Sequence, residues 1–596
     1  MDVRGWEAGR EGKRVSRSVW VQLGERRDFG RREEHDDVAW MRPDLPEPLD
    51  VIQESVDPYL NELNPVIVGG FIKKMMGGKS PGMDGITSEF LKCALEALED
   101  APMLRAVTEV VKHSYDHALV YDGWKETIVS PVPKKGDPSN LENYRGIALI
   151  SNLQKIISSF ICKMILEKAV MTRTCLEQAG FRSREEAVGQ AVSLFQMAEH
   201  RSRLGLPTYL AFIDLEKAYD SVPHEALLLK LELFGLRGKA FSWIKACYQD
   251  ARISSKMPDG RLSSSRPYAR GVRQGDPLSP YLFNIFINDA ITPAMRELGV
   301  PIRGTEALNH GTPERVCALM FADDIVFVAE SIENVETLLA HFERWCLNWD
   351  MRMNVKKCAI MEIPDQATIE IETGEARDEE SILTESIVLS QSDGSEEGSD
   401  DNDSDVDFSF SIDEDDSSVD AGRPEPAPGI SQDAGPRYLQ WRDLGRRAAR
   451  ESDKPLPKSQ RDRIAKLQRA KISVQGELIP VTNSYTYLGV HFDSHLNRGA
   501  MIKDRALKAL LSARDLYPTL ANPTVPIAVQ SMMIKAVISP CATYGGEVFG
   551  MNVAGLCPIR ILLASTHEPS IKPSPSLIYE SLSRSTGLLT LEHASS

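Results

Sequence analysis

The sequence predicts an α+β protein whose antiparallel sheet carries carboxylates at its strand ends. Three segments predict it. The residues after Thr87 and Ser88 space their apolar side chains as a helix does. Tyr209–Asp214 (YLAFID) is a short apolar run that ends on a carboxylate. Cys317–Ala329 (CALMFADDIVFVA) is two apolar runs around an Asp-Asp pair, the pattern of a hairpin.

Taken in order, residues 1–50 keep no sustained period and read as a poorly ordered leader. The first 35 residues are crowded with both charges and lack an apolar signal core, so no secretory leader is expected. From about residue 51 the pattern turns globular. Thr87 or Ser88 can cap a helix with an apolar face of Phe90, Leu91, Ala94, Leu95 and Leu98. Thr127–Pro133 (TIVSPVP) alternates as a strand does and runs into a Lys-rich loop. Ser279 and Pro280 stand where a helix starts, and YLFNIFINDA continues it. The globular pattern stops near Asp365 and resumes near Lys471, with Tyr485–Phe492 (YTYLGVHF) strand-like and Lys503–Leu520 helical. There are no internal repeats.

The 596 residues are enough for several domains, and 42% hydrophobic content is enough for a sizeable core. No apolar run approaches the roughly 20 residues needed to span a bilayer, so no membrane partner is expected. The nine cysteines (93, 162, 175, 247, 317, 346, 358, 541, 557) include no C-x-x-C pair. That argues against zinc knuckles and a disulfide framework and fits a reducing compartment. The net charge of −17 is local. Glu372 to Asp420 holds 19 acids and one base, Arg377, and the rest of the chain carries 68 basic against 67 acidic residues. Arg437 to Lys471, by contrast, carries 12 Lys/Arg against four acids. A Ser-rich, charge-segregated stretch cannot bury enough apolar surface to offset its ordering entropy, so residues 366–436 read as a disordered acidic insertion.

The chemistry lies in Asp214, Asp323 and Asp324. Carboxylates at the ends of apolar strands cannot be buried unpaired, so they need water or a cation. Three converging carboxylates suit a hard divalent ion, which takes oxygen ligands and leaves sites open for phosphates. Two such ions about 4 Å apart can activate a 3′-hydroxyl and stabilise a leaving pyrophosphate. An Asp-Asp pair on its own more often makes a plain turn.

The surrounding boxes change that balance. Phe321-Ala322-Asp323-Asp324 resembles the (F/Y)-x-D-D box of reverse transcriptases, in the Phe-Ala form of LINE-type (non-LTR) retroelements. Asp214-Leu-Glu-Lys-Ala-Tyr219-Asp220 resembles the family's first catalytic box, and Gly271-Val-Arg-Gln274-Gly275-Asp-Pro-Leu-Ser-Pro280 the intervening one. Lys79-Ser-Pro-Gly-Met-Asp-Gly85, Pro133-Lys-Lys-Gly136 with Asn143-Tyr-Arg-Gly146, Glu177-Gln-Ala-Gly-Phe-Arg182 and Tyr487-Leu-Gly489 add further matches in order. The resemblance covers about 60–550 without the insertion.

It implies a right-hand polymerase of fingers, palm and thumb, whose antiparallel palm sheet holds the carboxylates. It implies Asp214, Asp323 and Asp324 as ligands of Mg²⁺ or Mn²⁺, with the Leu215 carbonyl assisting. Tyr219 matches the aromatic gate that excludes a ribose 2′-OH, or else packs in the core. Gln274 and Gly275 match the loop against the incoming nucleotide, where glycine allows close backbone approach. Lys134, Lys135 and Arg145 match cations on the triphosphate, or are solvated loop residues. Asn354-Val-Lys-Lys357-Cys358 resembles an N-x-x-K-T segment with Cys for Thr, making Lys357 a proton donor to pyrophosphate or a surface lysine.

Composition and the resemblance together give the organisation: leader 1–50, N-terminal extension of the fingers 51–114, fingers and palm 115–365, acidic insertion 366–436, basic linker 437–470, end of the palm 471–500, thumb-like helices 501–550 and tail 551–596. The implied substrates are an RNA template, a DNA primer or nicked target DNA, and dNTPs. The implied setting is the nucleus, with a cytoplasmic ribonucleoprotein stage. Basic nuclear proteins are candidate partners of the acidic tract. No stretch resembles an endonuclease or a Cys/His knuckle, so the chain reads as a fragment of a retroelement reading frame. An RNA-dependent RNA polymerase, or an inactive or domesticated remnant acting as a nuclear interaction protein, are the rival readings.

Overall fold

The computed structural model describes residues 49–52, 62–96, 102–134, 139–140, 143–257, 259–301, 315–373, 458–520, 524–526, 529 and 532–544. Most of the leader, Lys135, most of the acidic insertion and basic linker, and the C-terminal tail lie outside them. The chain divides into two units, Met1–Asp365 with Arg463–Asn497 and Gln366–Asp462 with Arg498–Ser596.

The first unit begins with helices Pro65–Lys74, Ser88–Glu96 and Pro102–Asp116. Asn64 caps the first, its side chain accepting from the Ile67 amide at 3.0 Å. Thr87 caps the second, accepting from the Phe90 amide at 3.2 Å. Leu91 is buried on the inner face of this helix, but Phe90 is 56% exposed, so the apolar face is narrower than the sequence suggests.

In chain order the strands are β1 (Glu126–Pro133), β2 (Tyr144–Leu149), β3 (Thr208–Ile213), β4 (Arg252–Ser255), β5 (Arg266–Pro267), β6 (Val300–Pro301), β7 (Arg315–Val316), β8 (Ala318–Phe321), β9 (Asp324–Ala329), β10 (Ala359–Ile363), β11 (Ser473–Val474), β12 (Glu477–Leu478), β13 (Ser484–Tyr487) and β14 (Val490–Asp493). One four-stranded sheet has the order β2-β1-β4-β5, antiparallel except for the parallel β1–β4 pair. The other has the order β10-β3-β9-β8 and is antiparallel throughout.

The second sheet is the core of the unit. Leu210, Ala211, Phe212 and Ile213 are buried in succession, so both faces of β3 are covered, which is why its sequence runs apolar without alternation. Helices Ala187–Arg203 and Ile332–Asn348 pack on this sheet, with Phe327 of β9 edge-on to Phe342 at 5.5 Å. Each buried aromatic there contributes about 1.5–3 kcal/mol by removal from water.

The segment Tyr485–Phe492, strand-like in sequence, is a hairpin. Leu488 and Gly489 turn it with φ of +47° and +81°, and Tyr487 pairs with Val490. Two successive positive φ values make the turn that matches strand twist. Tyr485 stacks on Phe212 of β3 at 4.1 Å, and the Tyr487 hydroxyl donates to the Leu319 carbonyl at 3.3 Å.

In the second unit, helix Arg498–Leu520 packs with the helical run Ile534–Ile538 and Ser539–Thr543. Residues Gln366–Thr373, which the sequence assigns to the disordered insertion, form a helix instead, with Gln366 donating to Glu370 at 3.0 Å. Helix Lys458–Gln468 likewise occupies part of the expected basic linker. Among the described residues no helix is long and apolar enough to cross a membrane.

Candidate active site

β3 runs into Asp214, and its last residue, Ile213, pairs with Ile325 of β9. One further step along antiparallel strands sets Asp214 beside Asp324, the first residue of β9. β8 and β9 close through Ala322 and Asp323, with Phe321 paired to Asp324. Asp323 is therefore the turn residue, while Asp324 stands on the strand. Ala322 takes φ +60°, a left-handed conformation that a residue with a Cβ adopts at a cost. The pleat and the two-residue turn thus bring three carboxylates to one edge of the sheet.

Burial and mutual repulsion both disfavour the charged forms of these acids. Burial first, and then the charge of Asp214, raise the Asp323 carboxyl above its ordinary range, against its own backbone amide and Lys357. Burial first, then Asp323 and Asp214, push Asp324 up to about 6, although its side chain reaches solvent. Among the described residues no three acids, His or Cys already close on one point. The donor set still suits a hard divalent cation: it is all oxygen, and like charge held this close is what such an ion relieves.

Leu215 is buried and bridges antiparallel to Met353, so the segment leading into β10 is tied to the start of the site. The Asn354 amide donates to the Asp214 carbonyl at 2.8 Å, and a tight turn then brings Lys357 round. Its Nζ lies 3.2 Å from Asp214 Oδ2. Cys358, in place of the usual Thr, is buried with Sγ 3.9 Å from the same carbonyl.

Lys134 and Arg145 sit at the open end of the β1–β2 pair, where Val132 pairs with Arg145 and the Lys134 amide donates to the Asn143 carbonyl at 2.5 Å. Partial burial, then Lys357 and Arg145, lower the Lys134 ammonium, while Asp220 and Asp214 pull the other way. Lys134 therefore lies within electrostatic reach of both cations and both acids. Lys135 lies outside the described residues.

Gln274 and Gly275 are held against β2: the Ala148 amide donates to the Gln274 carbonyl at 2.7 Å. Gly275 has φ +119°, and a Cβ there would meet the Ala148 oxygen at 3.0 Å, so the position requires glycine. Tyr219 stacks on Phe283 at 5.0 Å and lies edge-on to Phe181 at 6.3 Å. Its buried hydroxyl has no hydrogen-bond partner among the described residues, and burial, with Asp323 adding, raises its pKa. Both the core and the gate readings of Tyr219 fit this packing.

A match to the family described as Reverse transcriptase (RNA-dependent DNA polymerase) spans residues 132–492, more than half of the chain. The chain belongs to the reverse transcriptase family. Reverse transcriptases generally use divalent metal ions, in keeping with the donor set described above. The chain is 27% identical to the Transposon TX1 uncharacterized 149 kDa protein of Xenopus laevis, over 44% of this chain and 19% of that protein. It is 26% identical to a Retrovirus-related Pol polyprotein from the type-1 retrotransposable element R2 of Popillia japonica, over 47% of this chain and 36% of that one. It is 25% identical to the RNA-directed DNA polymerase from mobile element jockey of Drosophila melanogaster, over 49% and 31%. The chain thus spans between about a fifth and a third of the length of these relatives. The resemblance to LINE-type reverse transcriptases holds.

Three further residues border the site. Gln178 and Gly180 touch the Asp323 turn, and the Tyr485 hydroxyl donates to the Lys357 carbonyl at 3.1 Å. Gln178 and Gly180 lie within the Glu177–Arg182 box, and Tyr485 stands two residues before Tyr487 of the Tyr487-Leu-Gly489 box, so the signal was present without its meaning.

Proposed function

We propose that this reverse transcriptase adds dNTPs to a primer 3′-OH on an RNA template, as the polymerase of a non-LTR retroelement. The observation that carries the reading is the gathering of Asp214, Asp323 and Asp324 at one sheet edge, with Lys357 on Asp214 and the Tyr219 ring alongside. In this reading β10-β3-β9-β8 is the palm, β1 and β2 belong to the fingers, and the helices after Arg498 form the thumb.

Asp214, Asp323 and Asp324 would hold Mg²⁺ or Mn²⁺, with the Leu215 carbonyl as a further oxygen. Such ions supply charge neutralisation and a more acidic hydroxyl. The residues of the chain do the rest. Lys134, Lys135 and Arg145 hold the triphosphate, since phosphoryl transfer needs chiefly positioning and charge compensation. Gln274 and Gly275 present backbone to the incoming nucleotide and template. The Tyr219 ring occupies the volume a 2′-OH needs, so deoxynucleotides are selected by overlap. The primer 3′-hydroxyl loses its proton to water as its oxygen bonds to the α-phosphorus, the bond from that phosphorus to the bridging β-phosphate oxygen breaks, and Lys357 gives a proton to the departing pyrophosphate. The template–primer pair would be an RNA with a DNA primer or nicked target DNA, in the nucleus or in a cytoplasmic ribonucleoprotein.

Primer extension on poly(rA)·oligo(dT) with dTTP and with UTP tests the reading. Extension with dTTP, abolished by Asp323→Asn in a folded protein, is the expected result. An Asp323→Asn protein within about tenfold of the unmodified chain, equivalent to roughly 1.4 kcal/mol of barrier, would overturn it. A preference for UTP would point to an RNA-dependent RNA polymerase.

A further inference from the structure

The turn that carries Asp323 is held from outside its own sheet. Gln178 is 1% exposed and lies 144 residues earlier in the chain. Its side-chain oxygen accepts from the Ala322 amide at 2.8 Å and from the Gly180 amide at 2.8 Å. Its side-chain nitrogen donates to the Ala322 carbonyl at 3.2 Å. One amide therefore satisfies both backbone groups of the residue with φ +60° that precedes Asp323. The backbone joins in: the Met320 amide donates to the Glu177 carbonyl at 2.8 Å, and the Ala179 amide to the Met320 carbonyl at 2.9 Å. Gly180 admits this approach, since a Cβ there would lie 2.2 Å from the Ala322 nitrogen. Asn284 in turn holds the Gly180 carbonyl at 2.6 Å.

We propose that Gln178 is a positioning residue for the polymerase reaction, fixing the strained Ala322 peptide and through it the direction of the Asp323 carboxylate. The proposal rests on Asp323 being a catalytic ligand, as argued above. A hairpin turn on a sheet edge has solvent on one side and would otherwise sample other turn geometries. The bidentate amide leaves one. A site whose ligands must be placed to within about half an ångström loses rate when such support is removed.

Two variants test this. Gln178→Met keeps length and apolar bulk but removes all three hydrogen bonds. Its kcat should fall about a hundredfold with the KM for dNTP within about threefold, because a ligand is displaced while nucleotide contacts remain. Gln178→Glu gives a sharper signature. The protonated carboxyl offers one acceptor and one donor, as the amide does, and burial favours that neutral form. Once ionised, it offers no donor and sets a negative charge against the Ala322 carbonyl and Asp323. The ratio of Gln178→Glu to wild-type activity should therefore be highest near pH 6 and fall about tenfold or more by pH 8.5, a drop equal to one unit of titration. A Gln178→Met enzyme within about threefold of wild type would overturn the proposal. If Gln178→Met fails to fold, Gln178→Asn, which keeps the amide but is one methylene too short to span the Ala322 peptide, is held to the same kcat and KM criteria. Asp323→Asn measured in parallel separates the two readings. An active Asp323→Asn removes the catalytic assignment, whereas an inactive one beside a fully active Gln178→Met removes only the clamp.

Discussion

Lys357 Nζ stands 3.2 Å from Asp214 Oδ2, so this carboxylate has a counter-ion supplied by the chain itself. The ammonium is well exposed, and Tyr485 holds its backbone turn by donating to the Lys357 carbonyl. Two consequences pull in opposite directions. In the proposed role of proton donor Lys357 would speed pyrophosphate release, but as a counter-ion it would compete with a divalent cation for Asp214. Lys357→Met should lower kcat by about 10²-fold, at the low end for loss of a general acid. The same variant should bind Mg²⁺ more tightly, read as a larger thermal shift at a given Mg²⁺ concentration. A weaker shift in Lys357→Met would show that the lysine supports the metal rather than competing with it.

Asp324 gives the site a pH dependence with a definite sign. Its folded-state pKa of about 6 stands above the ordinary 3.8, because of burial and the charges of Asp323 and Asp214. The folded form thus binds the proton more tightly than the unfolded chain. The stability so contributed is complete below about 3.8 and is lost as pH rises through about 6. Melting of the metal-free protein should therefore lose a component across that window, and Asp324→Asn should remove it. A divalent ion replaces the proton as the partner of these acids, so Mg²⁺ should raise Tm more at pH 7.5 than at pH 5. Equal Mg²⁺ shifts at the two pH values would contradict the assignment of the carboxylates as ligands.

Tyr219 is backed by Phe283 and flanked by Phe181, so shortening it opens space on its free edge without collapsing the support. Tyr219→Val should raise the efficiency of rNTP relative to dNTP incorporation by about tenfold or more, a discrimination of roughly 1.4 kcal/mol from one ring's overlap with a hydroxyl. The orphaned hydroxyl makes Tyr219→Phe the control, expected to leave sugar choice unchanged. An rNTP/dNTP ratio unmoved in Tyr219→Val would make the ring plain core.

What could be read from sequence followed the range of the interaction. β3 and the β8–β9 hairpin announce themselves because strands buried on both faces must be apolar throughout, and a carboxylate ending such a run stands out. The turn at Leu488 was hidden because a leucine at φ +47° carries no local turn signal. Phe90 misled because an apolar residue on an exposed helix face looks like one on a buried face until its neighbours are known. Gln178 was beyond reach for a different reason. Its partners lie 144 residues away and are backbone atoms, which leave no mark on residue type. The helix Gln366–Thr373 was masked by the composition of the acidic segment that follows it.

That acidic segment makes a last, signed claim. It falls outside every catalytic box, and no core-forming pattern runs through it, so removing residues 375–420 (which leaves helix Gln366–Thr373 whole) should spare chemistry. Its charge should not be neutral toward nucleic acid. With 19 acids between Glu372 and Asp420 and 12 basic residues between Arg437 and Lys471, the tract can compete with a polyanion for the basic segment or engage a basic nuclear partner such as histones. Ser404 and Ser411 are each followed three residues later by an acid, Asp407 and Glu414, so an acid-directed kinase could deepen the charge. The deletion should tighten template–primer binding at low salt, and the gain should shrink as ionic strength shortens the screening length from about 30 Å at 0.01 M to about 8 Å at 0.15 M. Titrating labelled template–primer against both proteins across that salt range measures it. Weaker binding by the deletion variant at low salt, or a variant that no longer folds, would make the tract a structural element and reverse the argument.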